Sequence, residues 1–204
     1  MADKMDRLVF FRSFFVLRTI LVLAALLLLS ICGVALGSFL AALLPEFRSQ
    51  RLVPLLFSGV VFSGSGFFTS FSTLLINALV FLTFLFLFGS AAFGVIAIPL
   101  LLFVKGVTVG LAVSSYLWDP TAGGLTGAML LYCPAAAFSL LILLVFGAQS
   151  LVFSNRLRKA AFSSSGVISD FPGFARSYVH SLCFAVVSAL VCAGFASISP
   201  VLFM

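Results

Sequence analysis

Residues 52–104 carry no Asp, Glu, Lys or Arg. No other feature of the chain constrains its fold as much. The stretch is more than twice the ~20 apolar residues that one helix needs to cross a bilayer core of about 30 Å. In lipid every backbone amide must be paired within the protein, so a run of this kind has to be helical or belong to a closed barrel. The whole chain agrees with the run. Of its 204 residues, 63% are hydrophobic and 8% are charged, against roughly 25% charged in soluble domains. A secreted disulfide scaffold, a disordered chain and a conventional cytosolic enzyme are all excluded. The composition predicts an all-α, polytopic membrane protein with about five transmembrane helices.

Breakers divide the chain. Residues 1–18 form a basic, partly amphipathic segment with Lys4, Arg7, Arg12 and Arg18, expected along the cytoplasmic membrane face. Residues 19–204 form a single integral membrane domain. Its first span is 19–44, too long for a signal-peptide core of about 7–15 residues, and it stops at Pro45-Glu46. Residues 52–62 would reach only about 16 Å as helix. They are read as an interfacial or re-entrant segment on the outer face, followed by a Ser/Thr-rich turn through Ser72. The remaining spans are 73–88, 95–118, 125–153 and 177–203. Gly89 and Gly94 bracket one turn. Pro99 and Pro134 are expected to break the third and fourth helices.

Charge orients these spans. With the N-terminus in the cytoplasm and the C-terminus outside, Lys4, Arg7, Arg12, Arg18, Arg156, Arg158, Lys159 and Arg176 lie inside, and Arg48 and Arg51 outside. That split follows the positive-inside bias. A full crossing by residues 52–62 would create a sixth span and move the four later bases outside. The net charge of +6 is thereby read as topology, not as nucleic-acid binding. Cys32, Cys133, Cys183 and Cys192 all sit in apolar runs, without a CxxC pair, and are read as small packing residues.

Catalysis finds little to work with. His180 is the only histidine, and no acid lies within a span. No carboxylate pair, Cys/His arrangement or metal-ligand cluster can be assembled, so neither an enzyme nor a cofactor is expected.

Lys105 is the exception that needs a reason. Eleven residues separate it from the Gly94 turn, which places it near mid-depth. A lysine there costs about 2.5–3.5 kcal/mol on insertion scales. Two readings stand: a charge facing a cavity, lipid head group or partner, and a structural pin. Asn77, Gln149 and the carbonyls freed by Pro99 and Pro134 are the candidate internal partners. Small residues also recur four apart: Gly33 and Gly37 with Ala41, Gly106 and Gly110 with Ser114, and Gly123 with Gly127. Such stripes let helix backbones approach closely. They serve either packing within the bundle or docking of a partner's helix.

One segment carries a resemblance. Phe86-Leu-Phe-Gly89, then Phe93-Gly94, an apolar run through Pro99, and Phe103-x-Lys105-Gly106-x-x-x-Gly110 resemble the central signature of the stage II sporulation protein M family. The Pro134 helix with its Gly147-Ala-Gln-Ser region and basic exit is similar too. In two places the chain departs from the family pattern. Ala135-Ala136-Ala137 stands where members carry a polar residue after the proline, and residues 52–72 are less polar than the usual outer loop. The resemblance implies a non-enzymatic scaffold in the cell membrane. It would recruit peptidoglycan-degrading partners, the stage II sporulation proteins D and P, to the septum during endospore engulfment. The alternative is a small transporter or permease subunit with a midplane site at Lys105.

Overall fold

A computed structural model describes residues 2–43, 67–118, 133–162 and 171–202. Five helices make up the described chain: α1 (Ala2–Leu43), α2 (Phe67–Gly89), α3 (Gly94–Trp118), α4 (Cys133–Phe162) and α5 (Phe171–Leu202). All five contain stretches long and apolar enough to cross a membrane. Exposed Leu28, Ile76, Ile96, Leu141 and Phe184 show that each helix turns large apolar side chains outward. Contiguous apolar surface of this extent belongs in lipid, and the protein is a multi-pass membrane protein.

Several boundaries differ from the sequence expectation. α1 is one continuous helix, so the basic lead-in and the first span are not separate elements. α2 begins at Phe67, and the expected Ser/Thr turn is its first turns. There Ser72 Oγ and Thr73 Oγ1 both donate to the Thr69 carbonyl, at 3.0 and 2.8 Å. Hydroxyls that bond back to their own helix ride along it instead of ending it. α3 stays helical through Pro99; the proline's missing N–H costs one helical bond, to the Val95 carbonyl, in the early turns of the helix. Pro134 is the second residue of α4, the place a helix tolerates proline best, so it opens this helix and does not break it. Beyond Phe153, α4 carries Arg156, Arg158 and Lys159 on a further helical stretch. Residues 52–62 and the Gly123/Gly127 pair lie outside the described residues.

Contacts give the helix directions. The Ser30 carbonyl abuts Gly106 and the Val34 carbonyl abuts Gly110, so α1 and α3 run parallel. A tight turn makes α2 antiparallel to α3: Ala91 N–H donates to the Phe88 carbonyl and Gly94 N–H to the Ala91 carbonyl, both at 3.1 Å. α4 returns antiparallel to α3, with Gly147 against Leu102 and Ser154 against Gly94. α5 runs antiparallel to α4 and α2, pairing Phe171 with Phe153 and Phe174 with Phe86. Directions alternate along the chain, so α1 ends on the side of the bundle where α2 begins.

α4 touches all four other helices, and α3 packs against α1, α2 and α4. Leu82, Leu85, Ile98, Leu102, Leu143 and Phe146 fill the core between α2, α3 and α4. The cysteines, read as small packing residues, lie mostly at the surface of the bundle. Cys32, Cys133 and Cys183 are exposed on the apolar exterior, and Cys192 is half-buried.

Candidate functional site

Lys105 sits at the middle of α3 with 0% of its surface exposed. It is among the largest fully buried side chains in the described bundle, with Phe146. Three helices enclose this level of α3: Leu102 and Ile98 face Gly147 of α4, Gly106 faces Ser30 of α1, and Lys105 faces α2. Nζ donates to Asn77 Oδ1 at 2.5 Å. It also lies 4.4 Å from the centroid of the Phe81 ring. Asn77 and Phe81 are four residues apart and so occupy one face of α2. The α2 sequence thereby supplies an acceptor dipole and a π face side by side.

Magnitudes explain why this charge can stay. Placing the lysine at mid-depth costs about 2.5–3.5 kcal/mol. A hydrogen bond to a charged group returns about 1.5–3 kcal/mol, and a desolvated cation–π contact about 2. The two contacts together offset the insertion cost. Chemically, the arrangement is a fixed donor and positive centre that ties α2 to α3. Of the expected partners, Asn77 is the one the fold brings to Nζ. Gln149 is committed elsewhere, accepting from Ser177 Oγ of α5. The Val95 carbonyl lies ten residues back along α3, about 15 Å away. On α3 itself, the Lys105 carbonyl accepts from Thr108 Oγ1 at 2.9 Å.

The glycine stripes face each other within the chain. A methyl built on Gly33 would lie 2.6 Å from the Phe103 carbonyl oxygen and 3.2 Å from the Gly106 Cα. Methyls on Gly37, Gly106 and Gly110 would collide with the backbone carbonyls of Val107, Ser30 and Val34. Ala41 and Ser114, which extend the stripes, are buried. Ser38 Oγ donates to the Gly110 carbonyl at 3.4 Å across the same crossing. All four glycines are therefore spent on one parallel crossing of α1 and α3, immediately beside Lys105.

Gly89 and Gly94 sit at a second close approach. A methyl on Gly94 would strike the Phe88 carbonyl, and one on Gly89 would lie 2.8 Å from Phe174 Cζ and 2.9 Å from Ser150 Cβ. Ser154 Oγ of α4 donates to the Ala91 carbonyl at 2.7 Å, fastening the α2–α3 turn to α4. Phe174 then stacks on Phe153 at 4.4 Å and on Phe86 at 5.2 Å. Sequence reading did not single out Phe174. Its chain neighbours include Pro172 and Arg176, which place it in a polar loop, and only the fold brings it between Phe86 and Phe153.

No protein-family model, no curated protein and no solved structure matches the chain.

Proposed function

We propose that this protein is a non-enzymatic scaffold of the cell membrane, similar in role to stage II sporulation protein M. Its N-terminus lies in the cytoplasm and its C-terminus outside, as the distribution of basic residues favours. It gathers peptidoglycan-degrading enzymes, of the kind of stage II sporulation proteins D and P, at the septal membrane. The observation that carries this reading is where the signature residues fall. Gly89, Gly94, Lys105, Gly106 and Gly110 each lie at a contact between helices. A shared motif whose residues build a rigid bundle supports a role in holding other proteins in place.

The transporter alternative draws less support. Midplane sites in transporters are commonly built where helices are interrupted and free backbone groups face the substrate. Here α3 is helical through Pro99 and Pro134 opens α4.

Affinity purification of the full-length protein from its own host during septum formation tests the scaffold. Peptidoglycan hydrolases are expected to be enriched over a control five-span membrane protein. Equal recovery from both overturns the reading.

A further inference from the structure

The seam between α4 and α5 is open on the exterior of the bundle. A groove of about 450 Å³ runs along it, walled by Leu141 and Val145 of α4 and by Phe184, Val187 and Val191 of α5. All five side chains are exposed, and apart from Ser181 and Ser188 the lining is apolar. From Ser181 to Val191 the groove follows α5 for about 15 Å, about half of a bilayer core of about 30 Å. Apolar walls facing lipid are ordinary; the charge at one end of this groove is not.

Both walls lead to basic residues at the same end of the bundle. On α5, Arg176, His180, Phe184, Val187 and Val191 recur at spacings of three and four and so share one face. On α4, Leu141, Val145, Gln149 and Arg156 recur at four, four and seven, likewise on one face. The two helices are antiparallel, so the last turns of α4 meet the first turns of α5, where Phe153 packs on Phe171 and Phe174. Between the groove and these turns, Ser177 Oγ donates to Gln149 Oε1 and ties the helices together. Arg176 stands about 7.5 Å beyond Ser181 along the helix axis. It is exposed, as are Arg156, Arg158, Lys159 and His180. Residues 154–176 hold four bases against a single acid, Asp170. The positive-inside bias accounts for bases at a helix end. It gives no reason for an apolar groove on the very helix faces that carry two of them.

We propose that the α4–α5 groove binds one anionic glycerophospholipid, with its phosphate at Arg176 and Arg156 and one acyl chain along Val145, Leu141 and Phe184. A phospholipid joins an anion to an apolar chain in one molecule, in the order that α5 shows from Arg176 to Val191. Basic pockets between membrane helices hold anionic headgroups, and an arginine fork grips a phosphate through two parallel N–H donors. A crossing helix needs about 30 Å of surface, twice the length of the groove, and answers the bases only where it carries a carboxylate. The site is independent of the scaffold reading, and either can fail without the other.

The test uses the purified full-length protein in nanodiscs of phosphatidylcholine. These contain rising amounts of phosphatidylglycerol or phosphatidylcholine spin-labelled on the acyl chain. Electron paramagnetic resonance reads the fraction of labelled lipid that the protein immobilises. Phosphatidylglycerol is expected to bind at least about fivefold more tightly than phosphatidylcholine, saturating near one lipid per protein. Arg176→Gln should lower that preference about fivefold, the worth of one basic residue near a lipid surface. Arg18→Gln, on α1, should leave it unchanged. Val187→Trp, at an exposed position, fills the groove and should remove the preference; Leu141→Trp, from the opposite wall, serves if the first variant does not insert. Equal affinity for the two lipids overturns the proposal. So does an equal loss in Arg176→Gln and Arg18→Gln, a preference that survives both tryptophans, or a dimeric protein whose groove binds neither lipid.

Discussion

At the residue scale, Lys105 and Asn77 are unequal members of one pair. Removing the lysine also removes its desolvation cost. Removing the asparagine leaves a buried ammonium short of an acceptor. Replacement of a buried charge by an apolar side chain is often neutral or stabilising, whereas breaking a charged contact from the other side is costly. Lys105→Leu is therefore expected to insert normally and to be at least as stable as the parent chain. Asn77→Leu should lose about 1.5–3 kcal/mol, the worth of a hydrogen bond to a charge. Unfolding by denaturing detergent in mixed micelles measures both. Loss of stability in Lys105→Leu as large as in Asn77→Leu would show that the lysine holds the bundle together through its side-chain contacts and that its charge is incidental. A functional defect in well-inserted Lys105→Leu would place the charge itself in the protein's role.

Among elements, the crossing of α1 and α3 is the contact most sensitive to added volume. Lipid tails are as apolar as leucine, so helices associate through close packing and hydrogen bonds. The glycines at positions 33, 37, 106 and 110 let the two backbones meet. Gly110→Leu is expected to separate α1 from α3 at a cost of about 1–3 kcal/mol or more, since over-packing forces backbone shifts. Lower yield in the membrane and faster proteolysis of purified protein would show it. Gly194→Leu, on α5, is the control: a methyl there meets nothing within 4 Å, and stability should change by less than about 0.5 kcal/mol. If Gly110→Leu left stability untouched and removed only partner binding, the stripe would have to face a partner's helix. The α2–α3 turn predicts a second local effect. Gly94→Ala drives a methyl into the Phe88 carbonyl, and the Ser154 bond to Ala91 should be lost with the turn. Faster amide exchange across residues 89–94 is the expected signature.

For the whole molecule, the five described helices alternate in direction, which puts the start of α1 and the end of α5 at opposite ends of the bundle. Two separate statements follow. Reporters inserted at Ala91 and Ser165 should fall on one side, and reporters at Leu125 and after Met204 on the other. The helix directions require this whichever way the protein is oriented. The basic residues further require Ala91 and Ser165 to be cytoplasmic. A reporter at Ala91 on the opposite side from Ser165 would contradict the bundle. All four positions inverted together would contradict only the orientation.

The sequence by itself determined the class of the molecule and located the five helices among the described residues that are long and apolar enough to cross a membrane. Long runs without charge admit one solvent, lipid, which forbids an unpaired backbone, and runs of about 20 or more apolar residues are of helical length, where a barrel strand needs only about 10. Gly89 and Gly94 also marked their turn correctly, since few other residues in an apolar run can end a helix there. Helix starts were less legible. Hydroxyls at Ser72 and Thr73 look like turn formers but donate to the Thr69 carbonyl of their own helix, and a proline's effect depends on how far it lies from the first turn. The tertiary structure alone decided what the glycines and the lysine meet. Gly33, Gly37, Gly106 and Gly110 can be read as an inner face or, alternatively, as an outer one, because in lipid both faces are apolar and periodicity cannot tell them apart. Asn77 and Gln149 were equal candidates for Lys105 for a similar reason. Each is a lone amide on a span, and which one reaches Nζ depends on the rotation and depth of α2 and α4 relative to α3, quantities that only packing sets.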